Sequence, residues 1–303
     1  MGIVAVQAAD APLRAQAWLA PQADLVRALT TAPPECLSPA TGPEARLAVE
    51  VGRAAFRTPT VLGGQAARAG LTCETCHRSG RDNPAFLFPG VSGPAGTADV
   101  TSSLFSSHRG DALDDPRPIP DLSGGRSGLK VAPEDLPPFI HGLITQEFDG
   151  REPPAVVLAG LVAYVRALSP SACPRAGVVP VTVASLMSDV RRALAAADAL
   201  AARGDRPAAG VMIAAARARL GLIDERYAAL PRERRRLRAA DARLAKVAQA
   251  LREDRPDARR RLAEWSADSV KLEAALTRRE GRSLFDPDHL AAALGRRLPR
   301  QSS

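Results

Sequence analysis

Three neighbouring residues carry side chains that can bond to a cofactor. Cys73, Cys76 and His77 form a C-x-x-C-H motif. Two thiols three residues apart lie on one turn of helix, where each can add to a vinyl group of haem, and the adjacent imidazole then lies beneath the iron as its proximal ligand. The motif therefore predicts one haem c, attached covalently through two thioether bonds.

Two other kinds of site also use paired cysteines. A zinc site would need a second cysteine pair or a histidine pair at finger-like spacing, whereas Cys36 and Cys173 are isolated in the sequence. A redox-active dithiol is normally set in a βαβ unit, and no strand pattern surrounds the motif. Haem attachment is the favoured interpretation, with zinc binding and dithiol chemistry as the alternatives.

The elements that must position the motif lie on either side of it. Residues 44–56 form an amphipathic pattern of helical period, and residues 153–168 form an apolar one. Between them, Gly and Pro recur through residues 58–138, which predicts only short helical turns. Long irregular segments are uncommon in compact domains, and a buried porphyrin would give this one an apolar surface to pack on.

Together these features resemble the cytochrome c domain over residues 44–170. In that family the first and last helices cross at small and aromatic residues, which implies that Gly52 and Phe56 face the last helix. The resemblance rests on the C-x-x-C-H motif and on four residues of the two helices. Gly52 and Phe56 lie on the first helix, and Leu161 and Tyr164 lie on the last.

Within the family, the chain is more similar to the haem domains of bacterial di-haem cytochrome c peroxidases than to short electron carriers. The similarity lies in the long loop before Cys73 and in the segment Ser107-His108-Arg109-Gly110-Asp111. Those enzymes carry two attachment motifs, whereas this chain has one. The resemblance therefore implies a mono-haem electron carrier, and as the alternative a peroxidase-like enzyme whose sixth iron position is open or exchangeable.

The sixth iron ligand, opposite His77, is left open. Family members commonly use Met, but none of the three methionines lies between the motif and the last helix. His108, which follows a loop rich in Ser, Thr and Gly, is the first choice. His141, shortly before the last helix, is the second, and an open or water-bound position is the third.

The resemblance also implies a disulfide between Cys36 and Cys173, which flank the predicted domain, because the first and last helices of class I cytochromes c pack together. The alternative is two free buried thiols. A disulfide persists in an oxidising compartment, which is where bacteria attach c-type haem. The expected location is the periplasm, and the apolar residues 1–9 suit the end of a secretory signal or a frayed terminus.

The two halves of the chain differ in charge. The 303 residues carry a net charge of +8, yet residues 1–173 hold 14 basic and 17 acidic side chains, whereas residues 174–303 hold 27 and 16. With 46% apolar residues, the chain is not expected to be mainly disordered. No run of 18 apolar residues occurs, so no membrane-spanning helix is predicted.

The basic half has a helical pattern of its own. Apolar residues at steps of three and four form four rows with short breaks, and a short helix is expected near His289. The predicted fold class is therefore all-α, with a cytochrome c-like haem domain followed by an antiparallel four-helix bundle. The predicted parts are an N-terminal segment (1–35), the cytochrome c domain (36–173), a linker (174–182) and the basic helical bundle (183–300).

Arginine-rich runs at residues 232–238 and 259–261 are typical of a surface that binds anions. Interleaved acidic residues favour a solvated helix face with ion pairs. The alternative is a docking surface for the acidic half of the chain or for an acidic redox partner protein. Nucleic acid is not an expected partner, because no binding motif occurs and only 4% of the residues are aromatic.

Overall fold

The computed structural model describes residues 12–100, 104–107, 115–124, 131–173 and 177–295, which are mostly helical. In the N-terminal half the helices are mostly short. They are α1 (Leu25–Thr30), α2 (Pro43–Phe56), α3 (Pro59–Leu62), α4 (Gly64–Ala69), α5 (Cys73–Cys76), α6 (Leu136–Gly142) and α7 (Ala155–Ala167).

Most helices of the C-terminal half are longer, and the first two begin at side-chain N-caps. Thr182 and Asp205 accept hydrogen bonds from the first turns of the helices that follow them, as N-caps do. The helices are α8 (Val183–Ala202), α9 (Arg206–Arg226), α10 (Pro231–Arg252), α11 (Ala258–Thr277) and α12 (Pro287–Gly295).

Strands are limited to two short antiparallel pairs in the described residues. One pair joins β1 (Thr31–Ala32) to β4 (Val179–Pro180), and the other joins β2 (Thr97–Ala98) to β3 (Arg117–Pro118). The first pair includes part of the predicted linker, so the linker is hydrogen-bonded to residues 31–32. Among the described residues, none of the helices combines the length and the hydropathy that crossing a membrane requires.

Helices α2 and α7 cross closely, as the resemblance implies. A Cβ atom on Gly52 would clash with the carbonyl oxygen of Gly160, and a Cβ atom on Gly160 would come within 2.9 Å of the Gly52 nitrogen. The rings of Phe56 and Tyr164 meet with their centroids 5.0 Å apart. Gly52 therefore contacts Gly160 as well as the predicted Leu161, because only two glycines allow the backbones to approach so closely.

The long helices pack in a closed order. Helix α8 lies against α9 and α11, and α10 lies against the same two helices. Helix α2 also contacts α8 and α9, and α1 contacts α12. One buried apolar cluster extends from Val51 and Tyr164 in the first half to Met187 and Leu244 in the second. The two halves thus share one hydrophobic core, so the packing of each half stabilises the other.

Candidate functional site

Helix α5 is a single turn that carries both cysteines of the motif. The Thr72 N–H donates to Thr75 Oγ1 at 3.0 Å, and the His77 N–H donates to the Cys73 carbonyl at 2.8 Å. The Asn83 side chain donates to the Thr75 carbonyl at 2.8 Å. These bonds hold the turn in helical geometry, which keeps the two thiols on neighbouring positions of one surface.

The ring of His77 has a defined orientation. Its Nδ1–H donates to the carbonyl oxygen of Pro120 at 3.0 Å. Since the carbonyl can only accept, Nδ1 carries a hydrogen, as it does in many metal-ligating histidines. The Phe56 ring lies at a centroid distance of 6.4 Å. The bond to Pro120 therefore fixes the orientation of the imidazole ring.

The segment that holds His77 is itself attached to the motif. After His77 the chain reverses at Ser79 and Gly80, which have φ angles of 52° and 77°. The Leu122 N–H then donates to the Gly80 carbonyl at 3.0 Å, and Arg81 contacts Asp121 at 2.5 Å. These contacts place the Pro120 carbonyl beside the imidazole.

Both thiols of the motif are free and partly buried. They pack against an apolar cluster that includes Trp18, Leu71 and Phe86. Burial raises the pKa of each thiol to about 12, so both are protonated at neutral pH. A redox dithiol or a thiolate metal ligand needs a lowered pKa, so this environment disfavours both alternatives.

Glu74, between the two cysteines, is held by two arginines. Its carboxylate accepts from Arg57 Nε at 3.0 Å and from an Arg219 terminal nitrogen at 2.5 Å. Burial alone would raise the pKa of Glu74, but the two guanidinium groups outweigh it and hold that pKa well below its usual value. Because Arg219 belongs to α9, this ion pair ties the C-terminal half to the attachment turn.

The same arginines belong to a larger set of charges. Glu35 contacts Arg53 and Arg57, both at 2.6 Å, and accepts a hydrogen bond from the Tyr164 hydroxyl at 2.7 Å. Burial would raise the pKa of Glu35, but the two arginines lower it to about 2.

Asp189 on α8 completes the set by contacting Arg53 at 2.7 Å and Arg219 at 3.4 Å. We call these six residues the charge cluster. It balances three cations against three carboxylates, and hydrogen bonds satisfy its buried groups. Its members are Glu35, Arg53, Arg57, Glu74, Asp189 and Arg219.

A cavity of about 700 Å³ opens on the side of α5 that carries Glu74 and Thr75. It is also lined by Arg78 and Asn83, and by residues of α8 and α9. Neither cysteine nor His77 is among its lining residues. The cavity therefore does not open onto the motif's cysteines or His77, although Trp18 belongs both to its lining and to the apolar cluster around the thiols.

The two histidines predicted as sixth ligands are described to different degrees. His141 lies on α6, and its Nε2 is 2.7 Å from a carboxylate oxygen of Glu152. His108 lies outside the described residues. Its neighbour Ser107 donates its backbone N–H to the Asp149 carboxylate at 2.9 Å. The sixth ligand remains a prediction.

Cys36 and Cys173 lie at disulfide distance, with Cα atoms 4.8 Å apart across 137 residues of chain. The pairing predicted from the resemblance is thus accommodated by the fold. The Ser169 N–H donates to the Cys36 carbonyl at 2.8 Å, so the ends of the segment are also joined by their backbones. The bond closes residues 36–173 around α5.

Some residues of the site were absent from the sequence-based prediction. Pro120 and Glu35 carry no distinctive signal. Arg219 does, because it falls on the apolar face of α9 between Ala216 and Leu220, where an arginine requires a buried acidic partner. Its acidic partners are Glu74, inside the motif, and Asp189.

The residues fit a covalently attached haem. Two protonated thiols lie on one turn beside apolar side chains, and the Nδ1 of the adjacent imidazole is bonded to a backbone carbonyl. No protein-family model, curated protein or solved structure matches the chain. Function is therefore inferred from these residues and their geometry.

Proposed function

We propose that the protein is a mono-haem c-type cytochrome that transfers electrons. Cys73 and Cys76 form the two thioether bonds to haem c, and His77 is the proximal ligand. One observation carries the proposal: the His77 Nδ1–H donates to the Pro120 carbonyl while two free thiols lie on the same turn. This arrangement supplies covalent attachment and an oriented axial ligand together.

Each residue has a separate task in this proposal. Cys73 and Cys76 would hold the haem, because each S–H can add across one vinyl group, the sulfur bonding to one carbon and the hydrogen to the other. Pro120 keeps the His77 ring in one tautomer and orientation, which raises the basicity of Nε2. The bound haem iron supplies the redox change between ferric and ferrous states. The charge cluster keeps α5 fixed against α2 and α9 while that change occurs.

His108 remains the first choice for the sixth ligand and His141 the second. Coordination by His141 would require its Nε2 to leave Glu152. Two histidine ligands would lower the reduction potential relative to a His/Met pair. An open or water-bound position would instead give the peroxidase-like alternative.

The wider prediction follows from the same residues. We infer a cytochrome c-like arrangement of α2, α5 and α7, followed by an antiparallel four-helix bundle of α8, α9, α10 and α11. The Cys36–Cys173 pair and covalent haem attachment both favour an oxidising compartment, which supports a periplasmic location. A redox partner protein would exchange electrons with the haem.

The test is co-expression of the chain with haem-maturation machinery. The purified protein should show a c-type absorption spectrum that changes on reduction, and its colour should stay with the protein after acid-acetone extraction. A variant with Cys73→Ala and Cys76→Ala should lose the covalent colour. The matched control, Cys36→Ser with Cys173→Ser, removes two cysteines elsewhere and should retain it.

Colourless wild-type protein, or colour that acid-acetone extracts completely, would contradict the proposal. The ligand prediction is tested separately with His108→Ala and His141→Ala. Loss of the low-spin ferric spectrum in one variant identifies the sixth ligand. Rapid binding of cyanide by the wild type would favour the peroxidase-like alternative.

A further inference from the structure

Arginines at the two ends of the C-terminal helices have different surroundings. At the end where α8 meets α9 and α10 meets α11, carboxylates neutralise them. Arg203 contacts Glu44 at 2.6 Å, and Arg259 contacts Asp198 at 2.8 Å. Arg206 also contacts Asp254 there.

The arginine run that follows Asp257 is likewise paired. Arg260 contacts Glu264 at 2.6 Å, and Arg261 contacts Asp257 at 2.7 Å. Together with Arg259, these three consecutive cations are each matched by a carboxylate. The strongly basic sequence 259–261 therefore leaves little uncompensated charge on the surface.

The opposite end, where α10 begins and α11 ends, is different. Five exposed arginines there contact no carboxylate within 4.0 Å among the described residues. We call them the arginine patch. They are Arg232, Arg235, Arg236, Arg278 and Arg282.

Contacts between the helices place these residues at one end of the molecule. Arg279 lies 3.9 Å from Glu233, and the Tyr227 hydroxyl donates to the Leu276 carbonyl at 2.7 Å. The flank of α10 that faces α9 carries Arg234, which is paired with Asp224 at 2.9 Å. Arg232 and Arg236 occupy the other flank, towards the end of α11.

We propose that the arginine patch is a docking surface for an acidic protein. Unpaired guanidinium groups repel one another, and carboxylates of a partner relieve this repulsion through paired, planar hydrogen bonds. Such complementarity raises the association rate and selects the partner's orientation. The proposal does not depend on haem, so either proposal can fail alone.

A protein fits the patch better than a membrane or a nucleic acid. Surface helices that enter a membrane need apolar side chains beside the cations, and single-stranded nucleic acids need aromatic rings for stacking. None of the exposed large apolar side chains in the described residues belongs to the turns that carry the patch. They are Leu104, Phe139, Val178, Val179 and Val270.

The test measures binding of the full chain to a fluorescently labelled polyglutamate peptide by anisotropy. The patch variant carries Arg232→Gln, Arg235→Gln and Arg236→Gln. The control carries Arg259→Gln, Arg260→Gln and Arg261→Gln, so both lose three positive charges. We expect the patch variant to bind at least about tenfold more weakly than wild type, because three nearby charges are removed. The control should stay within about twofold, because its arginines are already neutralised.

Absent binding by the wild type, or equal loss in the two variants, would overturn the proposal. Phosphatidylglycerol vesicles and an oligonucleotide serve as further probes. If the patch variant loses binding to either of these but not to polyglutamate, the surface belongs to lipid or nucleic acid and the proposal is wrong. Circular dichroism spectra of both variants should match the wild type, because five of the six substituted side chains are exposed and that of Arg261 is partly exposed.

Discussion

Two sets of ion pairs in this molecule use the same residue types in opposite surroundings. The charge cluster around α5 is largely buried, with Arg57 only 6% exposed. The ion pairs at the end where α8 meets α9 and α10 meets α11 are open to water. The side chains of Arg259 and Asp198, for example, are 52% and 45% exposed. A broken pair leaves an unsolvated charge in the first set and a hydrated one in the second.

The comparison shows where this protein depends on charge. The N-terminal half contains mostly short helices and loops around the motif. A cysteine pair and buried ion pairs hold these short elements together. The C-terminal half is organised by long apolar faces, so its exposed ion pairs contribute less to the stability of the fold.

Removing the cysteine pair should have the largest effect. Replacing Cys36 and Cys173 by Ser opens a closed segment of 137 residues. The chain-entropy relation for such a closure predicts a loss of about 5 kcal/mol in the free energy of unfolding. Urea unfolding of the variant and of the reduced wild type should give similar midpoints. A loss well under half of that value would show that other contacts constrain the segment.

Breaking the charge cluster should come second. Glu74→Gln leaves the buried Arg57 and Arg219 without one of their carboxylates, which should cost about 3 to 5 kcal/mol in unfolding free energy. The matched control, Glu264→Gln, breaks the exposed pair with Arg260 and should cost less than about 1 kcal/mol. Both are measured by urea unfolding of the haem-free chain. Equal losses would contradict the contrast between buried and exposed pairs.

Acid should expose the contribution of Glu35. Its pKa is about 2 in the folded chain against an ordinary value of 4.5. A lowered pKa stabilises the fold above the unfolded value, and this stability disappears as the pH falls from about 4.5 to about 2. The lowered pKa of Glu35 contributes about 3 kcal/mol to the free energy of unfolding at neutral pH.

The control for this pH dependence is Glu35→Gln, which cannot titrate. Its unfolding free energy should fall less steeply than that of the wild type over the same pH interval. Urea unfolding at a series of pH values measures both slopes. Parallel curves would show that Glu35 does not supply the acid sensitivity.

The smallest effect is expected at an exposed pair. Arg259→Gln should leave the thermal unfolding midpoint without a resolvable change, because water solvates Asp198 after its partner is lost. Arg219→Gln, which leaves Glu74 and Asp189 in the buried cluster, should lower the midpoint clearly. Equal shifts of the midpoint in the two variants would show that burial does not determine how much these ion pairs stabilise the fold.

Much of the fold was predictable because local patterns govern helices. The four apolar rows predicted in the basic half correspond to α8, α9, α10 and α11, and the predicted first and last helices around the motif correspond to α2 and α7. The irregular stretch after Thr58 likewise contains only short helices in its described part. Crossing of α2 and α7 followed from the resemblance, and two glycines make it possible.

The candidate site was predictable only in part. The C-x-x-C-H spacing identifies Cys73, Cys76 and His77, because residues on one turn are necessarily neighbours. It could not identify Pro120, which is 43 residues from His77, or Arg219, which is 145 residues from Glu74. Such partners depend on how distant segments meet.

The sequence alone determined the C-x-x-C-H turn, the helices and the overall charge, because these follow from neighbouring residues and from composition. Only the tertiary structure decided which carbonyl orients His77 and which arginines are neutralised. The runs at 232–238 and 259–261 look alike in sequence, yet the second is matched by nearby carboxylates. Electrostatic interactions fall steeply with distance and solvation, so folded geometry determines what each charge does.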